Sequence, residues 1–334
     1  MHAKLAVQAL AESIYKVPSS SLNVVFKPGA FGGQLMANSL NSALQHAHSQ
    51  DPSLQPSSQQ SYFLGPTLID KDVYFKVDTV RESGRSFVTK RVSSFQLDEG
   101  EDISAGLSRP PNFESTVDFY RPSPKLLEAA EEADLDFSKV AEFTDVHSTE
   151  DIISSSIPLS ELKALLVAKE LERGSLYGMA VFLADKLSLA DMLLDIRVPK
   201  TALREPAGSR SSYWVGVDAG LCAGLDTPSQ GKVILPYVSD GMTQVLACFS
   251  ALNGAKGWDA WPSKLTVWNY GLWFPATAQV EEKREGVSSK KWFLVSYDVL
   301  SMEHGKGVGR VELFDWANEK RRAASGNFSV MCMK

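Results

Sequence analysis

A carboxylate stands directly ahead of an amphipathic run in the stretch YVSDGMTQVLACFSALNGA, where Asp240 is the acid. At the start of a helix, a carboxylate accepts hydrogen bonds from the first-turn amides and meets the positive end of the helix dipole. The same group can bind a substrate hydroxyl or polarise a water as a general base, which is typically worth about 100- to 10,000-fold in rate. The two roles are compatible, and both predict Asp240, or Ser239 beside it, as the cap of a helix.

Two glycines, Gly32 and Gly33, open an earlier amphipathic run, FGGQLMANSLNSALQHAH. One interpretation is that they only allow the backbone a tight path into the helix. The other is functional, because backbone N–H groups at a helix start can stabilise an oxyanion and small residues let a carbonyl approach. The sequence leaves both interpretations open, and it predicts the next residue, Gln34, at the surface.

The stretch KLTVWNYGLWFP alternates in character as a strand does, and it carries polar residues at both parities. Because neighbouring side chains of a strand point to opposite faces, Thr266 and Val267 cannot both reach one site. Either a bulge near Thr266 turns its hydroxyl toward the site, or the site lacks that hydroxyl. The large aromatic residues are predicted to form core, and a wide apolar cleft could lie beside them: Trp268, Trp273, Phe274 and Trp292.

One order of elements occurs twice along the chain, each time a helix followed by strands. The first copy has the helix that starts at Gly32, then strands in QQSYFLGPTL, DVYFKVDTV, SFVTKRVSSFQ and EDISAGL. The second has the helix that starts near Asp240, then strands in LTVWNYGLWFPA, KWFLVSYDVLSM, VGRVELFDW and ASGNFSVMC. Two further stretches, DMLLDIRVP and SYWVGVDAGL, are predicted to be the leading strands of the second copy.

A long helix followed by an antiparallel meander packs most economically when the sheet curls around the helix, which is a hotdog-like α+β unit. Two such units would join their sheets side by side, because that removes two exposed edges. The sequence therefore predicts a double hotdog in one chain. Its parts are an N-terminal hotdog over residues 1–110, a linker with helices over 111–190 and a C-terminal hotdog over 191–334.

The composition and charge exclude some classes of binding partner. The net charge is −6 and the basic residues are not clustered, which excludes a nucleic-acid surface. No apolar run is long enough to span a bilayer, and Lys4, Glu12 and Lys16 interrupt the helically spaced apolar residues at the amino terminus, unlike a secretory signal. The sequence thus predicts a cytoplasmic protein without a membrane partner, leaving open a peroxisomal address and assembly into a homo-oligomer.

No cofactor or metal is predicted. The three cysteines are scattered and form no Cys-x-x-Cys pair, and His46 and His48 are spaced so that they do not share a helix face. Dinucleotide-binding and P-loop motifs are absent, and so is the nucleophile elbow Gly-x-Ser-x-Gly of serine hydrolases.

An ordered set of motifs resembles a known family. The motifs FGGQ, SYFLGP, VRESGRSFVTKRVSSFQ, YVSD, LWF, KWFLVSYDV and GKGVGRVELFD are similar, in this order, to the acyl-CoA thioesterase II family and its fungal thioesterase-like relatives. The resemblance covers most of the chain apart from the linker. It implies a double hotdog that hydrolyses acyl-CoA thioesters, with an Asp, a Thr or Ser, and a Gln that orient the attacking water.

Carried over by motif, the family's Asp falls on Asp240 and its Gln on Asn327, a shorter amide. Its Thr or Ser falls on Val267, next to Thr266, so the hydroxyl departs from the pattern. Other family positions carry changed residues: Asn269 for Asp, Tyr270 and Pro275 for two His, and Gln60 for the His of the first half. On this simple alignment Val267, Asn269, Gly271 and Trp273 form the inward set.

The resemblance predicts a hydrolase of acyl-CoA or carrier-bound acyl thioesters. The candidate catalytic residues are Asp240, Thr266 and Asn327, and the candidate substrate-binding residues are Gly32, Gly33, Gln60, Tyr62, Val267, Asn269, Tyr270 and Trp273. One alternative is a fungal natural-product enzyme that keeps the cleft for cyclisation, dehydration or isomerisation of a polyketide, with Asp240, Asn269, Tyr270 and Gln60 as acid, base or hydrogen-bond donors. Another is a non-catalytic acyl-binding protein.

Overall fold

The computed structural model describes residues 4–26, 29–83, 87–122, 143, 145–146, 148–159, 161, 193–201, 210–218, 221, 231–240, 264–275, 290–303, 306–316 and 321–333. The amphipathic run after Asp240 and most of the segment predicted as a linker lie outside these residues, as does Cys248.

The first half consists of a long helix and the strands around it. The helix is confirmed, with its leucine and alanine stripe buried. The elements in chain order are β1 (Gln8–Ala11), β2 (Ile14–Val17), β3 (Val24–Phe26), β4 (Gly29–Ala30), α1 (Gly32–Gln50), β5 (Gln55–Phe63), β6 (Val73–Ser83), β7 (Phe87–Phe95), α2 (Ile103–Leu107) and β8 (Phe113–Tyr120).

The second half repeats the order of the strands, and several of its strands are longer. Its elements in chain order are α3 (Thr149–Ser155), β9 (Ser156–Pro158), β10 (Leu194–Pro199), β11 (Arg210–Asp218), α4 (Ile234–Asp240), β12 (Lys264–Trp273), β13 (Lys290–Glu303), β14 (Lys306–Asp315) and β15 (Arg321–Met333). The two leading strands predicted for this half are confirmed as β10 and β11.

The two halves share one antiparallel sheet. Its 13 strands follow the order β1-β2-β6-β7-β8-β5-β12-β15-β14-β13-β11-β10-β9, and β3 and β4 form a separate ribbon. The halves join where β5 pairs with β12, from Tyr62 opposite Asn269 to Ser58 opposite Trp273. On either side of this seam the strands of each half follow the same order outward, so the predicted double hotdog and its side-by-side junction are confirmed.

Helices α1 and α4 lie on the same face of the sheet. We call this face the inner face and the opposite one the outer face. On β5 the inner residue Gln59 donates a hydrogen bond from Nε2 to the Met36 carbonyl oxygen of α1, at 2.9 Å. On β12 the Tyr270 hydroxyl donates to the Ser239 carbonyl oxygen of α4, at 3.0 Å. A single apolar cluster links α1, α4 and the inner residues of both halves. The core therefore runs without interruption across the seam.

Several local predictions are wrong. The stretch EDISAGL forms helix α2 and not a strand, because the Asp102 side chain caps the turn by accepting from the Ala105 amide. The amino-terminal residues, for which the sequence predicted no element, form β1 and β2, since Ile14, Tyr15 and Val17 bury against the core as β2 pairs with β6. Strand β8 lies beyond residue 110, so the first sheet continues into the segment predicted as a linker.

Gln34 is fully buried, where the surface was predicted. Its Oε1 accepts from the Asn23 amide at 2.7 Å, and its Nε2 donates to the carbonyl oxygens of Ser21 at 2.8 Å and Lys4 at 2.9 Å. These bonds tie the amino-terminal chain to the first turn of α1. Gln34 is thus a structural amide.

A buried lysine precedes α4. Lys232 is 2% exposed, and its side-chain amine has no hydrogen-bond or ion-pair partner within the described residues. Burial lowers its pKa from the ordinary 10.5 to about 8. Between these two values the native state binds fewer protons than the unfolded state, so stability rises with pH in that window. Below pH 8 the charged amine stays buried, which costs about 3 kcal/mol.

Lys232→Met is expected to raise the free energy of unfolding by up to about 3 kcal/mol at pH 7, with a gain that shrinks as the pH rises past 8. Urea unfolding at pH 7 and pH 10 measures both effects. The matched control is Lys90→Met, because the buried Lys90 donates to Gln50 at 2.6 Å and Thr79 at 2.7 Å and its loss leaves both unpaired. A gain at residue 232 that is independent of pH would contradict the interpretation.

Candidate functional site

Asp240 lies in α4 and is 6% exposed. The prediction that it or Ser239 caps a helix is wrong, because α4 already begins at Ile234 and both residues lie inside it. The apolar residues Ile234, Leu235 and Val238 are buried in the core, and this burial fixes the turn that carries the carboxylate. The helix therefore holds Asp240 in the interior, on the inner side of the sheet.

The carboxylate of Asp240 faces the start of α1. A Cβ added to Gly32 would lie 2.9 Å from Asp240 Oδ2, and one added to Gly33 would lie 2.9 Å from Asp240 Cβ. Any side chain at these positions would displace the acid, so the two glycines are needed for the close approach. The structure thus brings together three residues that the sequence proposed separately.

At the start of α1, the Gln34 amide donates to the Phe31 carbonyl oxygen at 3.1 Å, whereas the amides of Gly32 and Gly33 have no acceptor among the described residues. The first N–H groups of a helix have no partner within it, and Phe31 before the helix provides no side-chain cap. A negative charge next to this end of a helix is stabilised by the helix dipole. Such amides are able to stabilise an oxygen on which negative charge develops, and here they lie beside a carboxylate.

Aromatic rings wall this junction. The Phe31 ring meets the Tyr237 ring edge to face, with centroids 5.0 Å apart. Phe63 of β5 lies against Gly32, 3.0 Å from where its Cβ would be, and packs on Phe113. These rings shield the Asp240 carboxylate from bulk water.

Three phenols hold the turn of α4. The hydroxyls of Tyr270 and Tyr297 both donate to the carbonyl oxygen of Ser239, which is the residue before Asp240. The Tyr237 hydroxyl accepts from Asn23 Nδ2. Burial, reinforced by the charge of Asp240, raises the pKa of Tyr237 and of Tyr270 well above the ordinary value. Both phenols therefore stay protonated, and the Tyr270 hydroxyl acts as a donor.

A bulge in β12 changes which residues face the helices. Val267 pairs with Val330 and Asn269 pairs with Ser329, so Trp268 is an extra residue between them. The inner residues are accordingly Val267, Tyr270 and Leu272, and the hydroxyl of the family pattern is absent from this position.

The predicted inward set is therefore wrong for Asn269, Gly271 and Trp273, which the bulge moves to the outer face. Trp268 and Trp273 are 44% and 47% exposed, so these two aromatic residues are not core. The backbone of Thr266 pairs with Met331 on β15. The Thr266 side chain lies outside the described part of the structure.

The remaining predicted site residues lie away from Asp240. Gln60 donates to Asn269 Oδ1 across the seam on the outer face, where Tyr62 is 38% exposed. Asn327 is exposed on β15, opposite Gly271, while its neighbour Phe328 is buried. The structure thus brings Asp240, Gly32, Gly33, Val267 and Tyr270 to one side of the sheet and leaves the predicted amides on the other.

Tyr237 and Tyr297 were missed by sequence reasoning. Tyr237 is the first residue of the YVSD motif, and its place three residues before Asp240, on the same helical face, was a usable signal. Tyr297 is distant in sequence and is found only through the register of β13.

Other chemistry finds little support in the described residues. They contain no group of three His, Cys, Asp or Glu side chains able to hold a metal ion. Ring nitrogens of His46 and His48 contact the backbone oxygens of Glu12 and Leu54, near the far end of α1. His2, His147 and His304 lie outside the described residues. Among the described helices, none has both the length and the apolar character that a membrane crossing requires.

A separate open groove of about 640 Å³ lies on the first half, lined by Gln8, Leu10, Lys16, Tyr74, Leu97, Glu101, Asp102, Ile103 and Ser104. Its lysine is already paired, because Lys16 Nζ lies 2.6 Å from Asp72 Oδ2. None of its lining residues belongs to the junction around Asp240, so the carboxylate and the helix amides favour the junction as the functional site.

The fold and the site define a double hotdog protein with a carboxylate at the junction of its two helices. Residues 25–120 match the family model of the acyl-CoA thioesterase N-terminal domain. The resemblance to acyl-CoA thioesterases is thus confirmed in sequence for the first half. No curated protein matches the chain.

Solved structures confirm the fold over the whole chain. An acyl-CoA thioesterase II, TesB2 from Mycobacterium marinum, is 17% identical with a TM-score of 0.56, covering 99% of this chain and 95% of that one. A hot dog fold protein from Alicyclobacillus acidocaldarius is 15% identical with a TM-score of 0.59, covering 100% and 99%. The dehydratase domain of RzxB from Pseudomonas fluorescens is 12% identical with a TM-score of 0.52, covering 95% and 94%.

Proposed function

We propose that the protein hydrolyses acyl thioesters, of coenzyme A or of a carrier, with Asp240 as the general base. One observation carries the proposal: Asp240 Oδ2 lies 2.9 Å from the Cβ position of Gly32, so a buried carboxylate lies against the first turn of α1, where the amides of Gly32 and Gly33 have no acceptor among the described residues. Thioester hydrolysis needs both groups, a base for water and donors for the developing oxyanion.

In the proposed reaction, Asp240 accepts a proton from a water whose oxygen attacks the thioester carbonyl carbon. Negative charge moves to the carbonyl oxygen, where the amides of Gly32 and Gly33 stabilise it. The carbon–sulfur bond then breaks, and the leaving thiolate takes the proton from Asp240. Because the acid is only 6% exposed, these electrostatic interactions act in a water-poor environment where they are strong.

The phenols give the base its position. Tyr270 and Tyr297 both bind the Ser239 carbonyl oxygen and so fix the turn that aims Asp240. This support differs from the family pattern, in which a hydroxyl and an amide orient the water. Asn327 takes no part in the proposal, because its side chain is exposed on the outer face.

A second candidate is an enzyme of natural-product biosynthesis that acts on a polyketide. It is favoured by the proximity of Tyr270, a protonated phenol, to Asp240, since an acid and a base together suit dehydration or cyclisation. The similar fold of a dehydratase domain agrees with it. Gln60 and Asn269, which the sequence offered for this chemistry, bind each other on the outer face.

The candidates are distinguished with a panel of acyl-CoA and acyl-pantetheine thioesters of short to long chain. A free-thiol reagent detects the released thiol, and mass spectrometry identifies the acyl product. Hydrolysis predicts stoichiometric thiol and free acid. Conversion of a 3-hydroxyacyl thioester to its enoyl form without thiol release would instead support the biosynthetic enzyme. Saturable binding of the panel without any product would identify an acyl-binding protein and contradict the hydrolase.

A further inference from the structure

Ser61 on β5 carries a buried hydroxyl with no partner. The residue is 0% exposed, and its Oγ makes no hydrogen bond within the described residues. A buried hydroxyl without a partner costs about 1–3 kcal/mol, and native structures satisfy nearly all such groups with protein or water. Ser61 thus has hydrogen-bonding capacity that the fold does not use.

The register places Ser61 beside the site. It pairs with Tyr270 across the seam, and Tyr270 holds the turn that carries Asp240. Two residues further along the same face of β5, Phe63 contacts Gly32, which lies against the Asp240 carboxylate. Directly opposite residues on paired strands have Cβ atoms about 4.5–5.5 Å apart, so Ser61 lies next to Tyr270. Ser61 is thus connected to the surroundings of Asp240 through Tyr270 on one side and through Phe63 on the other.

Among the nearby polar groups, Ser115 Oγ and Gln59 Nε2 both donate to Ser39 Oγ, at 3.1 Å and 2.9 Å. This small network lies on the α1 side and leaves Ser61 out. Gln59 Oε1, like Ser61 Oγ, is buried without a hydrogen bond within the described residues. Across the seam, the described inner residues of β12 and β15 provide no aliphatic hydroxyl: Val267, Tyr270, Leu272, Ala324, Gly326, Phe328 and Val330.

We propose that Ser61 is a catalytic residue that supplies, from the first half, the hydroxyl that the family pattern places at Val267. Its Oγ accepts a hydrogen bond from the water that Asp240 activates and so aims that water's lone pair at the thioester carbon. This inference rests on the proposed hydrolysis. The seam makes it possible, because it brings the first half's β5 directly against β12.

Ser61→Ala is expected to lower kcat by about 100-fold with little change in KM, because the hydroxyl acts on the water and not on the acyl chain. The thermal midpoint should not fall, since an unpartnered hydroxyl adds no stability. Ser61→Thr keeps the hydroxyl on a residue that strands accept, and it should recover most of the lost rate.

The matched control is Ser94→Ala. Ser94 is also 0% exposed with an unpartnered Oγ, but it lies on β7, opposite Phe113 and away from the seam. Wild-type kcat is expected for this variant. Equal kcat for Ser61→Ala and wild type, with Asp240→Asn inactive, would overturn the role of Ser61 alone. A wild-type protein that releases no thiol would overturn the hydrolase proposal and the role of Ser61 with it.

Discussion

Asp240→Asn is expected to lower thiol release from acyl-CoA by about 100- to 10,000-fold. The amide has nearly the same size as the carboxylate but cannot accept a proton from water. Asp240 is buried, with Oδ2 2.9 Å from the Cβ position of Gly32 at the start of α1. The loss should therefore fall on kcat, with the acyl chain still bound.

The measurement is steady-state kinetics with a thiol reagent, together with a thermal midpoint for each variant. Asp78→Asn is the matched control, because Asp78 is a partly exposed carboxylate of the first sheet that pairs with Lys76 at 2.9 Å. It should keep wild-type kinetics. Equal loss in both variants, or full activity in Asp240→Asn, would remove Asp240 from the mechanism.

Gly326→Ala is expected to lower the free energy of unfolding by about 3 kcal/mol, the upper part of the range for overpacking. A Cβ at residue 326 would lie 2.2 Å from the Gly271 carbonyl oxygen, a backbone atom of the neighbouring strand β12. Backbone in the middle of a paired sheet cannot move aside as a flexible side chain can. The strain would fall where β15, β12 and β5 meet, so it tests the fused sheet itself.

Urea unfolding of Gly326→Ala and of Gly65→Ala provides the comparison. Gly65 is exposed, and the nearest atom to its added Cβ is Asn112 Cα at 4.0 Å, so this variant should stay within about 0.5 kcal/mol of wild type. Wild-type stability for Gly326→Ala would mean that β12 and β15 do not approach each other as described.

Long regular elements were predictable from sequence, because their periodicity is a property of many residues. Helix α1 and the strands β6, β7, β13 and β14 follow from stripes and alternations that no single residue decides. The junction of the halves was predictable too, since two hotdog units leave two edges that pairing removes. The family motifs indicated Asp240 because a short motif fixes its position directly.

The facing of side chains in the site was not predictable in the same way. Because Trp268 is an extra residue in β12, the alternation of side chains between the two faces is shifted by one residue after it. Alternation carries no trace of such a bulge, so Val267 and Asn269 were assigned to one face. Helix α4 begins before Asp240 because residues 233–238 bury in the core, a tertiary effect that overrides the capping pattern.

Ser61 illustrates a related difficulty. Its value depends on lying opposite Tyr270 in a strand more than 200 positions away in the chain, and on having no partner there. Sequence reasoning noticed the adjacent Gln60 through the family motif, but the pairing register turns that amide to the outer face. Only the joined sheet shows that Ser61, and not Gln60, lies on the face of the sheet that carries Asp240.

The most direct test of the account is a structure of the protein with an acyl-CoA ketone, in which a methylene group replaces the thioester sulfur and prevents hydrolysis. The account predicts the ketone carbon beside Asp240 and its oxygen toward the amides of Gly32 and Gly33. A ketone seated on the outer face near Asn327, or in the groove beside Tyr74, with the junction closed around Asp240, would contradict it.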